Sequence, residues 1–278
     1  MTVSAEAGLE FQAGTRRPVA WRHLRAVVHT VRYDFLSLVR NRTAQGFALA
    51  MPISFLVLFV AIFGNGHLRV DGELIRGSTY YVAALSVFAV VDVAFMALLI
   101  TLVEVREAGV LRRRRATPQP AWTIIAGRAV TAFVTGITSA ALLLVVGRLA
   151  YGASVAAAAL PALAIGVLTG VVVCCCLGFA VAGFVRSFQS AQPVAMALAL
   201  PLLFISGVFI PWGIIPHWLQ HVSAFFPVRA LVVALQNPYL AHGGRSPWSP
   251  EAYVVLGIWG VLGLVVAGRR FKWAPQDV

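Results

Sequence analysis

Residues 103–122 read VEVREAGVLRRRRATPQPAW and separate two apolar runs, each long enough to cross a bilayer. Their four consecutive arginines, Arg112 to Arg115, are the densest charge in a chain that is 60% hydrophobic and 12% charged. An ordinary soluble domain carries about twice that charge. With a mean hydropathy of +0.85 and several runs longer than the roughly 18 uncharged residues that mark a membrane helix, the chain reads as an all-α integral membrane protein. Its net charge of +12 would suit nucleic acid if it formed one patch. Instead the arginines stand at the ends of apolar runs, where membrane topology needs them, so no nucleic-acid partner is expected.

Working outward from the arginines, six spans are expected: 44–63, 80–103, 122–147, 155–185, 191–210 and 252–268. Span four is longer than one crossing requires, so it should tilt or lie at the interface before Pro161. Span five should kink at Pro193 and Pro201. Residues 1–18 are polar, without the apolar core of a cleavable signal peptide, and read as a disordered tail. Residues 19–43 place Trp21, Leu24, Val28, Val31, Phe35 and Leu38 on one helical face and most basic residues elsewhere. That is the pattern of an amphipathic helix lying in the membrane interface.

Residues 211–245 include an apolar stretch of membrane length, but it contains Pro227, Arg229, Gln236 and Pro238. Parity decides its reading. With six spans and a cytoplasmic N-terminus, Arg16 to Arg42, the arginine cassette, Arg186 and the Arg269–Lys272 cluster all face the cytoplasm. A seventh span would put the last cluster outside, against the positive-inside bias. The segment is therefore expected to be an outer re-entrant helical hairpin sheltered by protein, and residues 271–278 a cytoplasmic tail.

Chemistry is sparse. The only lysine, Lys272, lies near the C-terminus and no G-x-x-x-x-G-K-[ST] occurs, so the chain has no P-loop of its own. His217 and His221 have the spacing of two zinc ligands, but the glutamate of H-E-x-x-H is missing. No metal and no cofactor are expected in this chain. Cys174, Cys175 and Cys176 point about 100° apart on a helix and read as small apolar residues. Asp92 stands mid-span, where a charge costs at least a few kcal/mol. It should face protein or a wet cavity, either as an ion pair with Arg128 or as a gating group.

Two stretches carry a resemblance. Glu104-x-Arg106-Glu107-x-Gly109-x-Leu111, the basic run with Arg112 and Arg113, and then Thr117-Pro118 resemble the cytoplasmic segment of type-2 ATP-binding-cassette (ABC) permeases. The stretch FVRSFQSAQPVAMALALPLLFISGVFIP, with Pro211, and then WLQHVSAFFPVRALVVAL, with Trp218 and Pro227, resembles that family's fifth span and outer hairpin. Size and style are most similar to daunorubicin-resistance-type drug exporter permeases.

The resemblance implies that 104–118 is a coupling helix docking into a separate ATP-binding subunit. Glu104 and Glu107 would oppose the positive end of its dipole, and Pro118 would stop it. It implies a complex of two permease copies, as homo- or heterodimer, with two ATPase subunits that hold ATP and Mg. The chain itself would be a transport subunit and not an enzyme, multi-pass in the cell membrane, exporting a hydrophobic or amphipathic drug, antibiotic or lipid-like metabolite. Export of a polysaccharide or lipid-linked glycan is the alternative within transport. An ion-driven secondary transporter using Asp92 is the alternative outside it.

Overall fold

Among the described residues, six helices of 18 or more residues make up most of the chain. The computed structural model describes residues 42–70, 73–107, 122–153, 155–241 and 246–270. The expected tails 1–18 and 271–278, the interfacial helix up to residue 41, and the coupling positions Gly109, Leu111, Arg112, Arg113, Thr117 and Pro118 lie outside the described residues.

Helix α1 is Arg42–Phe63, 22 residues long. A four-residue antiparallel ribbon follows, β1 His67–Val70 with β2 Glu73–Arg76, in register His67↔Arg76. Strands this short carry no alternation legible in the sequence. Helix α2 runs Gly77–Glu107 and includes a π-helical stretch at Val91–Ala97. Helix α3 is Trp122–Tyr151. A 3₁₀ turn at Ala157–Ala159 leads into α4, Leu160–Ala182. Pro161 falls in the first turn of α4, where its missing N–H would be unpaired anyway. Helix α5, Phe188–Ile205, continues unbroken through Pro193 and Pro201 and ends before residue 210, shorter than expected.

Two short helices follow, α6 His217–Ala224 and α7 Pro227–Leu240, and then α8 Pro250–Arg270. Helices α6 and α7 are bent 94° from one another. Among the described residues, and apart from α1 and this bent pair, five helices are long and apolar enough to cross a membrane: Gly77–Glu107, Gly127–Tyr151, Ala157–Ala182, Phe188–Ile205 and Pro250–Arg270.

Glycines fix how closely these helices approach. An added Cβ on Gly147 would collide with Val82, and one on Gly136 would press on Val171 and approach Ala94. Helix α3 therefore runs antiparallel to α2. Gly166 and Gly170 sit against Leu235 and Leu231, so α7 runs antiparallel to α4 over a small-xxx-small stripe of the kind that lets membrane helices approach closely. Gly178 meets the backbone of Ala94 and Phe95, and Gly263 meets the backbone of Cys176. Cys174 and Cys175 are buried and all three cysteines are free, in keeping with a packing role.

Hydrogen bonds at either end of 211–240 place the elements it connects. Tyr80, near the ribbon end of α2, bonds Gly207 at the entry to this segment, and Tyr253, at the start of α8, bonds Ala162 at the start of α4. The segment thus leaves and rejoins the bundle at the ribbon end. Nearly every residue of α7 is buried, as a broken helix at membrane depth requires.

If Gly170 sets the spacing of α4 and α7, Gly170→Val should lower stability by about 1–3 kcal/mol through overpacking. Gly257→Ala, where nothing lies within 4 Å of an added Cβ, should be neutral or slightly stabilising. Thermal unfolding of both variants in detergent reads the difference; equal losses would mean that the stripe does not set the approach.

Candidate functional site

Three places carry the polar groups that an apolar bundle has reason to hold: the cassette end of α2, the π-helical stretch around Asp92, and the entry to the bent hairpin.

At the cassette end the structure separates residues that the sequence groups as one docking face. Glu104 is exposed. Arg106 turns inward and is only 2% exposed. Its Nη1 donates to the carbonyl of Ala182 at 3.0 Å, and its Nη2 donates to the carbonyl of Val185. These carbonyls lie where α4 ends and unwinds, at the negative end of its dipole. Glu107 accepts a hydrogen bond from the amide of Phe188, the first residue of α5. The next turn of α5 is capped by Ser187, whose Oγ accepts from the amide of Ser190. So the Arg106 side chain is buried inside the protein, and Glu107 binds a neighbouring helix of the same chain. A docking role for Arg106 by direct contact is corrected by this burial.

Asp92 lies in the π-helical stretch, half-buried in a span that is otherwise 83% buried. A π-bulge widens one helical turn and recurs at functional positions. The expected ion pair with Arg128 does not form. Gly147 lies beside Val82 and Gly136 beside Ala94, which sets Asp92 level with about residue 138. Arg128 is then roughly 15 Å along the axis at 1.5 Å per residue, farther than the two side chains reach. Neither periodicity nor span boundaries could reveal this, because inter-helix register follows from packing. Among the described residues Asp92 has no hydrogen-bond or ionic partner.

At the hairpin entry Ser206-Gly207-x-Phe209-x-Pro211 forms a turn with Gly207 at φ +85°, a conformation that L side chains avoid. The Tyr80 hydroxyl donates to the Gly207 carbonyl at 2.6 Å and accepts from the amide of Trp212 at 3.2 Å. Arg229 stacks on the Trp212 ring, 3.4 Å from its centroid, and donates to the Ser206 carbonyl. Pro211 precedes a 3₁₀ turn at Trp212–Ile214. Gln220, of the W-L-Q segment, donates from its side-chain amide to the carbonyls of Trp212 and Ile215. Trp218 is exposed, and Pro227 opens α7 as a buried first-turn proline. Phe209 packs on Phe55, Phe88 and Phe204.

Tyr80, Gly207, Gln220 and Arg229 were not singled out from sequence as site residues. Arg229 within an apolar run was the available signal, since a buried arginine requires partners. His217 and His221 form no zinc site with a third residue among the described residues; His221 Nδ1 instead lies 2.8 Å from the carbonyl of His217.

The family model described as ABC-2 type transporter matches residues 25–240. No curated protein matches the chain.

Two outcomes follow from this geometry. Tyr80→Phe removes the hydroxyl that holds both Gly207 and Trp212, leaving a buried carbonyl unsatisfied, and should cost about 1–3 kcal/mol in thermal unfolding. Because Asp92 and Arg128 lie far apart, the effects of Asp92→Asn and Arg128→Gln on stability should add to within about 0.5 kcal/mol. Rescue of the first by the second would restore the ion pair that the register rules out.

Proposed function

The chain belongs to the ABC-2 type transporter family, and from that premise we propose that it is the membrane subunit of an ATP-driven exporter of the daunorubicin-resistance type. A separate ATP-binding subunit docks on 104–118 and hydrolyses ATP with Mg, while this chain provides the path. Two permease copies and two ATPase subunits form the working unit, with both termini cytoplasmic. The substrate is a hydrophobic or amphipathic compound, a drug, antibiotic or lipid-like metabolite.

One observation carries this reading. Asp92 is only partly buried on a helix that is mostly buried, and exposed Ala97 and Glu104 follow it toward the cassette end. Helix α5 packs beside this face and is itself only 22% buried, with Gln192 exposed among Pro193, Met196 and Leu200. A carboxylate at mid-span depth does not face lipid, since burying it unpaired costs several kcal/mol. A single copy leaves this face uncovered. A second copy enclosing a wet path along α2 and α5 supplies what the carboxylate needs, and the mostly apolar side chains of α5 suit a substrate drawn from the bilayer.

Co-expression with candidate ATP-binding subunits, followed by affinity purification and ATPase assay in proteoliposomes, tests the reading. The expected result is a complex with two copies of this chain whose hydrolysis rises with hydrophobic amphipathic compounds. Reporters fused after His242 and Phe271 should lie outside and inside the cell respectively. A chain that captures no ATPase, or a Phe271 reporter outside, overturns it.

A further inference from the structure

We infer that Arg106 and Glu107 are positioning residues that clamp the turn between α4 and α5 to the base of the coupling segment, so that movement of that segment is passed to α5. This rests on the reading of 104–118 as the coupling helix. The clamp is built from two neighbouring side chains of opposite charge, each placed on the helix end of opposite sign. The Arg106 guanidinium holds the carbonyls of Ala182 and Val185, where α4 ends. The Glu107 carboxylate holds the amide of Phe188, where α5 begins. Consecutive residues on a helix point about 100° apart, so one turn of α2 reaches both sides of the intervening turn, 183–187.

Both contacts are charge-assisted, roughly twice as strong as neutral hydrogen bonds. Both act on groups that a helix terminus leaves without an intrahelical partner. On the far side, Gly183 lies against the backbone of Arg270 at the end of α8, which leaves the turn little room to slip away from α2. Helix α5 is the least enclosed of the elements that touch this turn on the α2 side. A push at the cassette end would therefore move α5 against whatever covers it. A side chain buried as deeply as Arg106 could serve folding alone. What distinguishes the clamp is that breaking it on the α5 side, away from residues 104–118, should still interrupt transmission.

Phe188 allows that break. As the first residue of α5, preceded by extended Ser187 at φ −126°, ψ 152°, it occupies a position where proline is well accommodated. Phe188→Pro deletes the amide that Glu107 holds, while Phe188→Ala loses the same ring and keeps the amide. In a background with Cys174, Cys175 and Cys176 replaced by alanine, an environment-sensitive thiol label at Ala197→Cys, exposed on α5, reports α5 when ATP and Mg are added to the assembled complex. The ATP-dependent signal should be roughly ten-fold smaller in Phe188→Pro than in Phe188→Ala, as expected for loss of one charge-assisted bond. ATPase capture should be equal in both. Glu107→Ala should reproduce the loss, and combining it with Phe188→Pro should add nothing further.

A parent protein that captures no ATPase overturns the exporter reading. One that captures it but shows no ATP-dependent signal at residue 197, or the same signal in Phe188→Pro as in Phe188→Ala, overturns the clamp alone. So does an ATP-dependent signal in Glu107→Ala equal to that of the parent. If Phe188→Pro assembles poorly, Glu107→Ala against the parent gives the same readout.

Discussion

Within an apolar bundle no water reaches the ends of buried helices, so each carbonyl or amide freed there has to be bonded by another part of the chain. Several polar side chains among the described residues serve that purpose. Arg106 serves the end of α4 and Glu107 the start of α5. Tyr80 serves the turn after α5, and Gln220 the 3₁₀ turn beyond it. The indole of Trp259 donates to the carbonyl of Phe225 at the break between α6 and α7. A chain with few charged residues uses them at breaks in the helices, where they do most to keep the backbone paired.

Helix α2 collects most of these obligations. Its first turn is held by the ribbon, where the amide of Gly77 donates to the carbonyl of Gly66 and that of Ser78 to Asn65 Oδ1. Its middle is widened by the π-helical stretch, and its last turn grips α4 and α5. Phe55, Phe59, Phe88 and Phe209 stack around its ribbon-side half, and aromatic pairs of this kind contribute about 0.5–1.5 kcal/mol each beyond their buried area. Among the five helices long and apolar enough to cross a membrane, α2 is the most enclosed, with 83% of its apolar window buried.

The exposed surface has the opposite character. Helices α5 and α8 are only 22% and 17% buried. Lipid accepts their leucines, valines and phenylalanines, so exposure there by itself points to nothing. A polar group on such a face, as at Gln192 on α5, is what distinguishes one part of it from another.

Much of this was legible in the sequence, because hydropathy and charge placement act locally. A run of uncharged residues is a span whatever its neighbours, and arginines at run ends set parity. Those two facts led to an all-α chain of membrane-length helices, and five helices among the described residues, or six with the bent pair, are long and apolar enough to cross. The match of residues 25–240 to a permease family agrees with the residues quoted from 103–122 and 184–240. Register between helices was not legible, because it depends on which glycine meets which side chain. Hence Arg128 looked like a partner for Asp92, and the side-by-side Gly136 and Ala94 place it elsewhere. Nor could sequence separate Glu104, Arg106 and Glu107, which form one charged motif when read along the chain. Only the tertiary structure turns Arg106 onto the end of α4, because the carbonyls it satisfies belong to residues some eighty positions away.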